Sequence, residues 1–181
     1  MGAPKACVEL AGRPLIAHAL EKIVAAGIEP VVVAKPGSEL PPIGCAVIRD
    51  DDSALHPAAG ILAALRANRG GPVVVVACDM PFVPPEIVAF LAKLAVAIAV
   101  PRMGSRLQPL VARYSPTATA ALEGAIERAE PLHEAIGALD PRILGPEELA
   151  RFGEPERILF NVNDRDDLAA AERLMAVAPS R

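Results

Sequence analysis

Residues 71–81 read Gly-Pro-Val-Val-Val-Val-Ala-Cys-Asp-Met-Pro, and Val73 to Ala77 is the strongest strand signal in the chain. A continuous apolar run offers no face to water, so it suits a strand covered on both sides by helices. Two similar runs precede it: Glu-Pro-Val-Val-Val-Ala-Lys, ending at Lys35, and Cys45 to Asp50. Between these runs the spacing changes to that of helices. Arg13 to Ala26 puts Leu15, Ile16, Ala19, Leu20, Ile23 and Val24 on one face, with Pro14 in its first turn and Gly27 just past its end. Pro57 to Asn68 and residues 85–95 follow the same rule. Strands alternating with helices predict a three-layer, doubly wound α/β domain with a mainly parallel sheet.

The rest of the chain fits this plan. Ala95 to Pro101 reads as a strand, and Arg106 to Tyr114 as an extended segment able to form a hairpin with it. Helices are predicted over 116–129 and around 132–139. The end reads as a strand from Arg157, a turn and a closing helix, with Asn163 as its cap. At 181 residues, without internal repeat or low-complexity linker, the chain is expected to form one domain over 1–181. It has no Trp, one Tyr and four Phe, so the core is built from small aliphatics. The net charge of −4 comes from interspersed acids and bases. That lacks the basic stripe a nucleic-acid backbone requires, and no nucleic-acid partner is expected. Cys7, Cys45 and Cys78 are too scattered for a disulfide framework or a zinc site. No stretch reaches the length of a membrane span and no secretion signal opens the chain, so a cytoplasmic protein with no membrane contact is expected.

In open α/β sheets ligands bind beyond the carboxyl ends of the strands, so polar residues there are the candidates. Asp79 is delivered to the tip of the Val73–Ala77 run. It could supply a carboxylate to a hard cation such as Mg²⁺, or cap a turn. Asp50, Asp51 and Asp52 form either a solvated acidic loop or, with the small residues after His56, a place where a ligand approaches backbone. Gly2 and Lys5 are either half of a phosphate cradle or a frayed terminus. Asn161 and Asn163 could bind substrate or cap a helix. His18 and His133 receive no chemical role. No nucleophile elbow, complete P-loop or dinucleotide fingerprint is present.

Taken in order, the blocks beginning Met-Gly-Ala-Pro-Lys, Asp-Asp-Asp-Ser-Ala-Leu-His-Pro, Cys-Asp-Met-Pro-Phe-Val, Arg-Leu-Gln-Pro-Leu and Asn-Val-Asn-Asp resemble the molybdenum cofactor guanylyltransferase family over nearly the whole chain. The Cys-Asp-Met-Pro-Phe-Val block is the most specific. The resemblance implies a Rossmann-like nucleotidyltransferase fold and Mg²⁺-dependent transfer of GMP from GTP to molybdopterin or its molybdenum-bearing form, with pyrophosphate released. It implies Lys5 and Asp79 as catalytic residues, and Gly2, Lys5, Asp50 and Asp79 as GTP contacts, with Asp51 the fallback for Asp50. Asp79 is the implied metal ligand, and Gln108, Asn161 and Asn163 the acceptor side. Other proteins of molybdenum-cofactor synthesis are implied partners. In-line transfer of this kind needs positioning and charge neutralisation more than a covalent nucleophile.

The chain departs from the family pattern in three places. His56 stands where a Gly is usual, and an expected Asn is replaced near Ala34–Lys35. The family's first strand and most of its glycine loop are not in the chain. An upstream segment is therefore expected, with the Val31–Lys35 and Val73–Asp79 runs roughly 10 Å, two strand spacings, apart. Cytidylyl transfer, another phosphorylated acceptor, and a non-catalytic binding protein are the alternatives.

Overall fold

A computed structural model describes residues 4–50 and 55–176. The chain opens with a 3₁₀ turn, Lys5–Cys7, and a small antiparallel pair, β1 (Glu9–Leu10) and β2 (Arg13–Pro14). Helix α1 (Leu15–Ala25) follows. It ends as its sequence predicts. Gly27 takes a left-handed φ of 75°, its N–H donates to the Val24 carbonyl at 2.9 Å, and Ile28 N–H reaches Ile23 O at 3.2 Å. This double closure satisfies carbonyls that the last turn leaves open, and glycine adopts that φ without a Cβ clash. Leu15, Ile16 and Ala19 face the core as expected, but Val24 is exposed. His18, on the buried face, has Nε2 3.0 Å from Leu10 O, which ties α1 to β1.

The two runs before residue 50 form β3 (Val31–Ala34) and β4 (Ala46–Arg49), a parallel pair with Ala34 opposite Arg49. Helix α2 (Pro57–Ala67) crosses to β5 (Val73–Val76), and α3 (Pro85–Lys93) comes next. His56 caps α2, its Nδ1 accepting from Ala58 N at 3.2 Å and its Nε2 lying 2.8 Å from Glu130 O. The α/β class is as expected, but the ladders are of both kinds. β5 pairs antiparallel with β8 (Val111–Tyr114), and β8 with β6 (Ile98–Met103). β7 (Arg106–Leu107) also pairs antiparallel with β6, and β9 (Arg142–Leu144) pairs with it in parallel. The expected hairpin partner of β6 is thus β7 and β8, interrupted at residues 108–110.

A mainly parallel sheet would set the strand that ends at Asp79 among parallel neighbours. Among the described residues β5 has one ladder neighbour, and it is antiparallel. Among the described residues the Val31–Ala34 and Val73–Val76 runs are not paired with one another. Both line a cavity of about 880 Å³. The expected strand from Arg157 is absent. Residues 155–158 instead form a helical turn, α7 (Pro155–Ile158), because Pro155 fixes the backbone of a first turn and has no N–H for a ladder. The short strand at 142–144 was not anticipated, since three residues carry almost no periodicity.

Helices α4 (Thr119–Glu127) and α5 (Leu132–Gly137) cover one sheet face, where Tyr114, Leu122 and Ile136 are fully buried. Helix α3 and α6 (Pro146–Leu149) pack on the other, around Ile87, Leu91 and Leu144. A third apolar cluster joins Val8, Leu10 and Leu15 to Val162 and to Ala171 of α8 (Arg165–Ala176). Burying such side chains stabilises by about 1.5–3 kcal/mol each. This cluster holds β1 and the start of α1 against the 160–163 segment and α8.

Candidate active site

The third cluster decides where Lys5 lies. Val8 N–H bonds Lys5 O at 3.2 Å, and Leu15 N–H bonds Val8 O at 2.8 Å, so the opening turn is anchored at the foot of α1. From there Lys5 Nζ reaches Asp79 Oδ2 at 2.7 Å and Asn163 Oδ1 at 2.9 Å. Three residues separated by 74 and 158 positions thus meet through one ammonium.

Asp79 is placed by the end of β5. Ala77 N–H bonds Leu110 O at 2.8 Å, the last contact of β5 with the neighbouring segment, and Met80 N–H closes a turn onto Ala77 O at 3.2 Å. Met80 and Val83 are buried beneath it. The Asp79 carbonyl accepts from Val162 N–H at 2.8 Å, which locks the 160–163 segment alongside. The Asp79 side chain makes an ion pair with Lys5. Oδ2 takes the lysine, while Oδ1 is buried with no hydrogen-bond partner among the described residues. Asn161 Oδ1 is in the same condition. A buried oxygen without a donor is costly. A hard cation taking oxygen ligands would relieve it, so the residues present fit Mg²⁺. No cluster of three or more His, Cys, Asp or Glu suited to a metal occurs among the described residues, so any such ion would take much of its coordination from substrate phosphates and water.

Burial, followed by the Asp79 charge, pushes the Cys78 thiol up to about 11, with Lys5 opposing. This marks the strand tip as a place of low dielectric and concentrated charge. Gln108 lies in the break between β7 and β8. Its N–H bonds Pro101 O at 2.9 Å and its carbonyl accepts from Val111 N–H at 3.0 Å, while Tyr114 Oη donates to Pro109 O at 2.7 Å.

Asn163 does not cap α8. That role belongs to Asp164, whose Oδ1 accepts from the amides of Asp166 and Asp167, both at 2.9 Å. The Asn163 side chain is instead committed to Lys5. Asp50 lies at a second place, the end of β4, buried and ion-paired to Lys35 at 2.8 Å. Gly2 and the fallback Asp51 lie outside the described residues. Lys35 was not singled out by sequence reasoning. The signal that found Asp79, a polar residue ending an apolar strand, was present there too.

The model of the MobA-like NTP transferase domain matches residues 1–144. A protein of Pelotomaculum thermopropionicum, named a probable molybdenum cofactor guanylyltransferase, is 32% identical over 182 residues, spanning 97% of this chain and 87% of the relative. The molybdenum cofactor guanylyltransferase of Pseudomonas putida is 32% identical over 170 residues, 87% of each. Among solved structures, molybdopterin-guanine dinucleotide biosynthesis protein A from Archaeoglobus fulgidus superposes with a TM-score of 0.79 at 29% identity, covering 97% of this chain and 92% of that one.

Proposed function

This chain belongs to the MobA-like NTP transferase family of nucleotidyltransferases, and on that footing we propose that its reaction is transfer of GMP from GTP to a molybdopterin-type acceptor. The observation that carries the reading is the meeting of Lys5, Asp79 and Asn163 at the end of β5. In the reaction, an oxygen of the acceptor's terminal phosphate bonds to the α-phosphorus of GTP. The bond from that phosphorus to the oxygen bridging to the β-phosphate breaks, and pyrophosphate leaves with the electron pair. Negative charge builds on the leaving phosphates, and a fixed cation beside them lowers the barrier.

Lys5 is that cation. Asn163 and Asp79 orient its ammonium from behind, and its partly exposed side chain can reach a phosphate without leaving its anchor. Asp79, through the Oδ1 that has no hydrogen-bond partner among the described residues, would hold Mg²⁺. When bound, the ion supplies charge neutralisation on the phosphates. Gln108, Asn161 and Asn163 form the acceptor side. Asp50, and Gly2 by the family resemblance, serve the nucleotide.

GTP labelled at the α-phosphate, incubated with molybdopterin and Mg²⁺, should yield a labelled molybdopterin guanine dinucleotide and one pyrophosphate per turnover. Preferential labelling from CTP would make the enzyme a cytidylyltransferase. Absence of transfer from either nucleotide, with the nucleotide still bound, would leave a binding protein.

A further inference from the structure

Arg113, near the end of β8, is a charged residue that the reaction described above does not use, and only 7% of it is exposed. Its ladder partners are Val74 of β5 and Ala99 of β6. Cross-strand partners share a sheet face. Both of these belong to the apolar cluster around Ile87 and Leu91, which also takes in Ile23, Ile28, Leu94 and Val96. Arg113 therefore faces the apolar layer between the sheet and α3. No acid is supplied to it there. The chain holds no Asp or Glu between Glu86 and Glu123, none from 23 to 28 and none from 70 to 78. Among the described residues its hydrogen bonding consists of one bond, from Nη1 to Val96 O, and Nε is buried with no partner.

Burial pulls the guanidinium down from its ordinary value, but arginine stays charged in proteins. A buried charge with an unused donor is costly unless an anion answers it. The geometry of the group says which anion. Val96 O takes Nη1, so the edge left over is the one formed by Nε–H and Nη2–H. Its two parallel donors match two oxygens of a carboxylate or a phosphate. Nη2 makes no hydrogen bond among the described residues and, unlike Nε, keeps contact with solvent. An anion can thus approach this edge from outside. The place is separate from the reaction centre. Val74 lies near the start of β5 and Asp79 beyond its end, and Arg113 does not line the cavity that Lys5 and Lys35 share.

We infer that the Nε–Nη2 edge of Arg113 is a second anion site of this protein, taking the carboxylate or phosphate group of a small molecule in a side-on, two-bond grip.

The test follows the melting temperature of the full chain at pH 7 as sodium acetate or sodium phosphate replaces sodium chloride at constant ionic strength. A ligand of the native state raises Tm by mass action. Saturation of the rise separates a bound anion from the general stabilising effect of such salts, and its midpoint reports affinity. The native protein should give a saturable rise. A rise in acetate alone makes the ligand a carboxylate, in phosphate alone a phosphate group, and in both either one. Arg113→Met keeps an apolar stem and removes the donors, so the rise should vanish. Lys5→Met removes the cation of the reaction centre, and the rise should persist. Arg113→Lys keeps the charge without the paired donors and should weaken binding about 10-fold or more, the scale of one hydrogen bond to a charged group. A native protein with no saturable rise in either salt would mean that water satisfies Nε, and would overturn the site. A rise that survives in Arg113→Met, or is lost in Lys5→Met, would put the anion elsewhere and overturn it equally. If Arg113→Met does not fold, the comparison of native protein with Arg113→Lys decides, and an unchanged midpoint there overturns the proposal.

Discussion

At the scale of single residues, the two oxygens of Asp79 sit in different surroundings, and this separates function from stability. Oδ2 pairs with a lysine that is 42% exposed, an arrangement worth little to the fold. Oδ1 is the buried oxygen, without a hydrogen-bond partner among the described residues, on which the proposed metal role rests. Asp79→Asn should therefore lower guanylyl transfer by about 10²–10³-fold or more while changing stability by about 1 kcal/mol or less. Turnover with labelled GTP and a thermal melt measure the two effects, and near-normal turnover would remove Asp79 from the mechanism. The adjoining Cys78 gives a pH signature. Its thiol is raised from 9.0 to about 11, mainly by burial and then by Asp79. At a given pH below 9 the folded protein therefore holds about 100-fold less Cys78 thiolate than the unfolded chain. Alkylation of Cys78 at pH 8 should lag that of the urea-unfolded protein by about that factor. The sign for stability follows from the raised value. The unfolded chain releases this proton first, so stability intact below pH 9 falls as the pH rises from 9 towards 11. Cys78→Ser should flatten that part of the profile in urea titrations.

At the scale of elements, the most informative is the start of α8. Asp164 Oδ1 accepts from Asp166 and Asp167 amides, and Asp167 Oδ2 reaches back to Asn163 N–H at 2.8 Å and Asp164 N–H at 3.3 Å. This reciprocal capping satisfies amides that a helix start leaves open. It also fixes the backbone of Asn163, whose side chain steadies Lys5. Asp164→Ala should cost about 1 kcal/mol, a drop of roughly 2–4 °C in Tm for a chain of this size. A Tm within a few tenths of a degree of the native value would show that the cap contributes nothing.

At the scale of the whole molecule, α2 packs against β3, β4 and β5 and so spans both parallel and antiparallel parts of the fold. The cavity of about 880 Å³ lies between β3 and β5, with Lys5 and Lys35 in its lining. A ligand engaging both lysines would contact both parts and bind only the folded chain. GTP with Mg²⁺ at about one hundred times its Kd should add roughly 2.7 kcal/mol of stability. The rise in Tm should exceed that with CTP or ATP at equal concentration. Equal shifts for all three would mean that the base is not read. Among the described residues no helix is long and apolar enough to cross a membrane.

The sequence by itself determined the apolar strands, the helices between them and the stop of α1 at Gly27. These depend on local periodicity and on the φ preferences of Gly and Pro, which act within a few residues. It also marked Asp79, because a polar residue ending an apolar strand is visible in one dimension, and Lys5, as a candidate half of a phosphate cradle. Only the tertiary structure decided that β5 runs antiparallel to β8, since ladder direction depends on contacts between segments far apart in the chain. The same holds for Asn163, which leaves the helix cap to Asp164 because Lys5 arrives from 158 positions away. It holds again for Lys35 and Asp50, which share an ion pair because two parallel strands end side by side. Hydrogen bonds and ion pairs depend on distances in space, and those are set when the buried clusters close.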